Sequence, residues 1–166
     1  MLDLWLIRHA QSLGNQDGSQ ADTDLTADGE AQARSLAREV ETEQFDLVLA
    51  SPLLRARRTA ELAMPNASVV IEPRLRELVV ANKGFLDITR LDAKAIREIA
   101  SAKPDPDQEN GRQFIARIRE WIEALPSSGR VIAFTHFAVL RECLRQLRPG
   151  LPPQRIDFCE IHRVTR

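Results

Sequence analysis

The stretch Leu4-Trp5-Leu6-Ile7-Arg8-His9-Ala10-Gln11-Ser12-Leu13-Gly14-Asn15 decides the fold. Four apolar residues run without polar alternation and stop at an arginine and a histidine, after which small and polar residues follow at once. That is how a strand buried on both faces ends in a loop. Strands buried on both faces belong to parallel sheets covered by helices, so this run predicts an α/β protein with a base and a cation at a strand exit.

Outward from this stretch the same pattern recurs. Leu47-Val48-Leu49-Ala50 is a second short apolar run, Val69 to Ile71 a third, and Val131-Ile132-Ala133-Phe134-Thr135 a fourth that again ends at a histidine, His136. Helical patterns separate the runs. Thr26 reads as an N-cap ahead of a stripe formed by Ala33, Leu36, Ala37 and Val40. Ser51-Pro52 reads as an N-cap with proline at the first helical position, opening a helix through Leu62 or Ala63. Asn110 opens the clearest helix, with Phe114, Ile115, Ile118, Trp121, Ile122 and Leu125 on one core-facing stripe. A further helix runs from about Phe137 to Leu147, and Ile156 to Val164 reads as a last strand. The order predicts one domain over residues 1–166, a three-layer α/β/α sandwich with a mostly parallel central sheet. Residues 78–110 form a short cover over the sheet's rim, with a weak helical pattern from Asp92 to Ala100 and a break at Pro104-Asp105-Pro106-Asp107.

Composition sets limits on function. The 166 residues carry a formal net charge of -1, which offers neither nucleic acid nor an anionic membrane a basic surface. No stretch approaches the ~20 apolar residues of a membrane helix, and no secretory leader pattern stands at the N-terminus, so a cytoplasmic protein is expected. Cys143 and Cys159 lack metal-ligand spacing and read as small buried hydrophobes. No metal and no cofactor are expected.

In open sheets of this kind ligands bind beyond the carboxyl ends of the strands. His9, Arg55 and His136 each follow a different strand's carboxyl end, so parallel neighbours would bring them to one pocket, with Arg8 beside them. Arginine's planar fork matches a phosphoryl group, and a neutral imidazole is a nucleophile near pH 7. Attack by one histidine on phosphorus would give a phosphohistidine, with the other histidine and the arginines stabilising the transition-state charge. Arg57 and Arg58 read as solvated helix residues and His162 as structural or exposed.

Five motifs occur in one order: Arg8-His9-Ala10 with Asn15; Leu25-Thr26-x-x-Gly29-x-x-Gln32-Ala33; Ser51-Pro52-Leu53-x-Arg55-Ala56-x-x-Thr59-Ala60; Leu75-x-Glu77; and Thr135-His136. Together they resemble the histidine phosphatase superfamily, the phosphoglycerate mutase-like group. The resemblance implies His9 as the phosphorylated nucleophile, a phosphate pocket completed by Arg8, Arg55, His136 and Asn15, and Glu77 as the acid that protonates the leaving oxygen. The chain departs from the family pattern at Ala10 and Phe137, where glycines usually follow the two histidines. A bulky Phe137 would be strained if its position needed a positive φ.

The expected activity is metal-independent hydrolysis of a phosphate monoester or a phosphohistidine. The substrate would be a small phosphorylated metabolite or a phosphoprotein, with Arg76 and Lys83 as further contacts. Mutase-type phosphoryl transfer and a non-catalytic phospho-ligand sensor are the alternatives. The short segment between Glu77 and His136 favours hydrolysis, because mutases must exclude water from the intermediate.

Overall fold

The computed structural model describes residues 1–17, 22–78, 111–150, 152 and 155–166. Residues 79–110, expected to form most of the cover and including Lys83 and the Asp92 to Ala100 pattern, lie outside them. The described elements are β1 (Leu2–Arg8), α1 (Leu13–Asp17), α2 (Ala27–Val40), β2 (Leu47–Ala50), α3 (Leu54–Ala63), β3 (Val69–Ile71), a 3-10 turn (Pro73–Leu75), α4 (Gly111–Ala124), β4 (Gly129–Thr135), α5 (Phe137–Leu147) and β5 (Ile161–Thr165). Five strands form one sheet in the order β3-β2-β4-β1-β5. The first four are parallel, and β5 closes the far edge antiparallel to β1.

Side chains alternate across a strand, and this parity builds the three layers. Leu2, Leu4 and Leu6 point to one face with Leu49, Val131 and Ala133, where Phe114, Ile118 and Trp121 of α4 and Val139, Leu140 and Cys143 of α5 cover them. Trp5 and Ile7 point to the other face with Val48, Ala50, Ile132 and Phe134, covered by Leu36 and Val40 of α2 and by Ala60 and Ala63 of α3. Both faces are thus dry, which is why the central strands read as unbroken apolar runs. Trp121 is core, as its stripe indicates.

The two central strands send the chain in opposite directions. After β1 it leaves toward α2 on one face, and after β4 it leaves directly into α5 on the other. The crevice between those exits is the topological switch point of the sheet, where a ligand finds room between diverging loops.

Two local expectations change. Ser51 does not cap α3: the helix starts at Leu54, its N-cap is Leu53, and Leu53 has no side chain able to accept a bond. The capping acceptor comes from a distant segment, since the Leu54 N–H donates to Asp22 Oδ1 at 2.6 Å. Ser51 faces the site instead, and Arg55 becomes the second helical residue. The last strand is also shorter than expected, because residues 156–160 make a turn before β5 in which Cys159 takes a φ of +58°.

Thr26 caps α2 as expected, accepting from the Gly29 N–H at 2.9 Å. Gly29 is needed there for close approach: a Cβ would stand 1.9 Å from the Gln11 carbonyl oxygen. The first turn of α2 therefore supports the backbone of the loop that follows His9.

Candidate functional site

The sheet's ladder continues one bond past the strand ends, so the exits are held in register. The His9 N–H donates to the Thr135 carbonyl at 2.8 Å and the Ser51 N–H to the Phe134 carbonyl at 2.9 Å. Ser51, His136 and His9 consequently stand side by side at the ends of β2, β4 and β1. The two imidazole centroids lie 5.1 Å apart, close to the spacing of adjacent strands. The structure brings His9, His136, Arg8, Arg55 and Glu77 to this one crevice.

His9 is 3% exposed. Its Nδ1 lies 2.7 Å from the Ala10 carbonyl oxygen. A carbonyl only accepts, so the proton is assigned to Nδ1 and Nε2 keeps its lone pair. The Arg55 Nε–H donates to that Nε2 at 3.3 Å. Arg55 itself is buried, and its backbone is tied in through Thr59: the Thr59 hydroxyl donates to the Arg55 carbonyl at 2.7 Å and accepts from the Ala10 N–H at 3.0 Å. The backbone of Arg55 and the backbone just after His9 are thus tied together by one shared side chain.

His136 is wholly buried and is the N-cap of α5. Its Nε2 meets Ser51 Oγ at 2.7 Å, while its Nδ1 has no hydrogen-bond partner among the described residues. The His136 side chain does not cap α5, so the first N–H groups of the helix add their partial positive charge at the same place. Phe137 sits in ordinary helical conformation, and among the described residues only Cys159 has a positive φ without being glycine. The expected strain at Phe137 is absent, because the chain turns at His136 in extended geometry and enters the helix directly.

Arg8 is gripped by the turn before β5. Its Nη1 donates to the Ile156 carbonyl at 2.8 Å, and its carbonyl accepts from the Cys159 N–H at 3.0 Å. The guanidinium lies 4.0 Å from the Phe158 ring centroid and 5.3 Å from that of Phe137, within cation–π range of both. Phe158 also borders the His9 ring at 5.9 Å. No pattern in the sequence marks Phe158 or Asp22, because each reaches the site from an irregular segment.

Glu77 follows the 3-10 turn and faces the N-terminus of α5. Its Oε1 accepts from the Leu78 N–H at 2.9 Å, and its Oε2 from the Ala138 N–H at 3.5 Å. Asn15 sits in α1, where its Oδ1 accepts from the Ser12 N–H at 3.0 Å and the Ser12 hydroxyl at 2.8 Å. Its carbonyl end is therefore engaged in shaping the loop after His9, leaving the amide end for other contacts.

The remaining candidates take structural positions. Arg58 pairs with Glu61 at 2.9 Å on the surface, and His162 lies on β5 with Nε2 3.2 Å from Glu160. Arg57 is half-buried on α3.

The electrostatics follow from burial beside cations. Desolvation, then the charge of Arg55, holds His9 well below the ordinary histidine value of 6.5. Desolvation, then the neighbouring His9 and Arg55, does the same to His136. Burial pushes the Glu77 carboxyl up from its usual range, opposed by the Leu78 N–H and by Arg55. Both imidazoles are thus neutral at pH 7, and the carboxyl is biased toward its protonated form.

A pH dependence of stability follows. Below about 6.5 the unfolded chain binds protons on both histidines that the folded protein refuses, so stability is complete above that value and is lost as pH falls. Each histidine contributes a slope of up to ~1.4 kcal/mol per pH unit. Glu77 acts in the opposite sense nearer the carboxylate range. Urea unfolding at pH 7.5 and at pH 6 should therefore show the protein less stable at pH 6, and equal or greater stability there would contradict the burial of two neutral histidines.

The chain is similar to known proteins along most of its length. Residues 4–165 match the model of the histidine phosphatase superfamily, branch 1. An Erwinia tasmaniensis protein named "Probable phosphoglycerate mutase GpmB" is 34% identical over 99% of this chain and 85% of its own length. A Hydrogenobacter thermophilus protein named "Putative phosphoserine phosphatase 2" is 34% identical over 77% of this chain and 68% of its own. Among solved structures, one described as "a putative alpha-ribazole-5'-P phosphatase" from Escherichia coli K-12 superposes with a TM-score of 0.75 at 30% identity, covering 92% of this chain and 81% of that one.

Proposed function

The chain belongs to the histidine phosphatase superfamily, and from that premise we propose that it is a metal-independent phosphomonoesterase working through a phosphohistidine on His9. The observation that carries the reading is the unprotonated His9 Nε2, set beside the Arg55 guanidinium and 5.1 Å ring to ring from a second buried imidazole. An anion drawn to Arg8, Arg55, His136 and the α5 N-terminus would bring its phosphorus to that lone pair. The amide of Asn15 would add a contact from the loop.

In the first step Nε2 attacks phosphorus, the P–O ester bond breaks, and the Glu77 carboxyl gives its proton to the leaving oxygen. The phosphoryl group is then held by the arginines, with the Nδ1–H bond to Ala10 stabilising the positive ring. In the second step the Glu77 carboxylate takes a proton from water as that water attacks phosphorus. The P–N bond breaks, phosphate leaves, and His9 returns to its neutral form. A raised pKa suits a group that must donate and then accept.

The mutase reading has support in relatives that bear that name. It requires a cover that keeps water from the phosphohistidine, and between Glu77 and His136 residues 111–124 and 129–135 are already committed to a helix and a strand. Apart from the connection 125–128, residues 78–110 are all that remain for a cover, which favours hydrolysis.

Incubation with a panel of phosphorylated metabolites and phosphohistidine peptides, with no divalent metal added, separates the two. Release of inorganic phosphate is expected. Conversion of a sugar-acid phosphate to its positional isomer without phosphate release would establish the mutase instead.

A further inference from the structure

We infer, resting on the acid role given to Glu77 above, that Arg117 of α4 is the positioning residue that aims the Glu77 carboxyl at the leaving oxygen. Glu77 lies in neither a helix nor a strand, so no regular ladder fixes its backbone. What holds the segment is a set of bonds to its carbonyls. The Thr135 hydroxyl, one residue before His136, donates to the Leu75 carbonyl at 2.9 Å. Arg117 Nη1 donates to the carbonyls of both Arg74 and Arg76, the latter at 3.0 Å.

The Arg76 carbonyl belongs to the peptide plane that contains the Glu77 nitrogen. Because that plane is rigid, holding its oxygen restrains the Glu77 nitrogen and Cα together, and the bonds from the Leu78 and Ala138 N–H groups then set where the carboxyl points. Leu75 and Leu78, both buried, anchor the segment on either side but restrain position more than rotation. Arg117 is itself steadied on its own helix, with its guanidinium 5.2 Å from the Phe114 ring centroid one turn earlier. The contact thus carries the rigidity of α4 across to the carboxylate that meets the N-terminus of α5.

A positioning role makes a prediction that a purely structural one does not. Protonation matters for an alkoxide and hardly at all for a good aryl leaving group. Arg117→Met should lower kcat for an alkyl phosphate by roughly 10–100-fold while aryl phosphate turnover falls by no more than about threefold, the scale expected when a catalytic group is misplaced by about an ångström. Arg117→Lys, which keeps a donor of similar reach, should show the same bias more weakly and serves if the methionine variant does not fold.

Glu77→Gln is measured in parallel. If it shows the alkyl-over-aryl bias and neither Arg117 variant does, or if an Arg117 variant loses both substrates equally, the assignment of Arg117 is overturned while the acid role stands. If Glu77→Gln itself shows no bias, the acid role has failed and Arg117 falls with it. In the double variant Glu77→Gln with Arg117→Met, the bias should be no larger than in Glu77→Gln alone, since a group that acts through Glu77 has nothing left to position.

Discussion

His9→Ala should reduce the hydrolysis of an aryl phosphate by about 10⁴-fold or more, the scale on which removal of a nucleophile acts. Neither neighbour replaces its Nε2: that of His136 is committed to Ser51 Oγ, and the Arg55 guanidinium carries no lone pair to offer. The cations remain, so the variant should still bind inorganic phosphate or vanadate within about an order of magnitude of the native protein. Loss of turnover with retained anion binding separates a missing nucleophile from a collapsed pocket. Turnover that persists undiminished would remove His9 from the mechanism.

The second large effect concerns Glu77. Glu77→Gln keeps the shape of the side chain and a hydrogen bond to the α5 N-terminus but removes the acidic proton. Turnover of a substrate with a poor leaving group should fall by about 10²–10⁴-fold, the usual range for general acid catalysis, while an aryl phosphate should lose far less. The native enzyme should also hold its activity on alkyl substrates to a higher pH than an ordinary carboxylic acid would allow, because burial raises Glu77. Equal losses on both classes of substrate would remove it as the acid.

Much of this was legible in the residues. The three central strands β1, β2 and β4 are readable because a sheet covered on both faces needs unbroken apolar runs, and two of those runs end at histidines. The helix of Phe114, Ile118 and Trp121 was readable for the same reason, its apolar stripe being set by the face it buries. Ser51-Pro52 misled because its cap signal is local, whereas the acceptor that serves α3 is Asp22, brought in from a loop by the fold.

The site divides in the same way. His9, Arg55 and His136 announce themselves at strand exits, but Phe158 and Arg117 do not. Their contacts join the turn before β5 to Arg8, and α4 to the segment holding Glu77. Both depend on tertiary placement of irregular backbone, which no periodicity encodes. Phe137 shows the converse: a departure that looked costly is accommodated by an extended N-cap, and its ring lies against the Arg8 guanidinium.

The central claim is that His9 Nε2 carries the phosphoryl group. Its most direct measurement is rapid quenching of the native protein during turnover of a labelled phosphate ester, followed by peptide mapping. The phosphoryl group should appear on the peptide containing His9, stable in base and lost in acid, and be absent from His9→Ala. A label that survives acid, or one that maps to another residue, would contradict it.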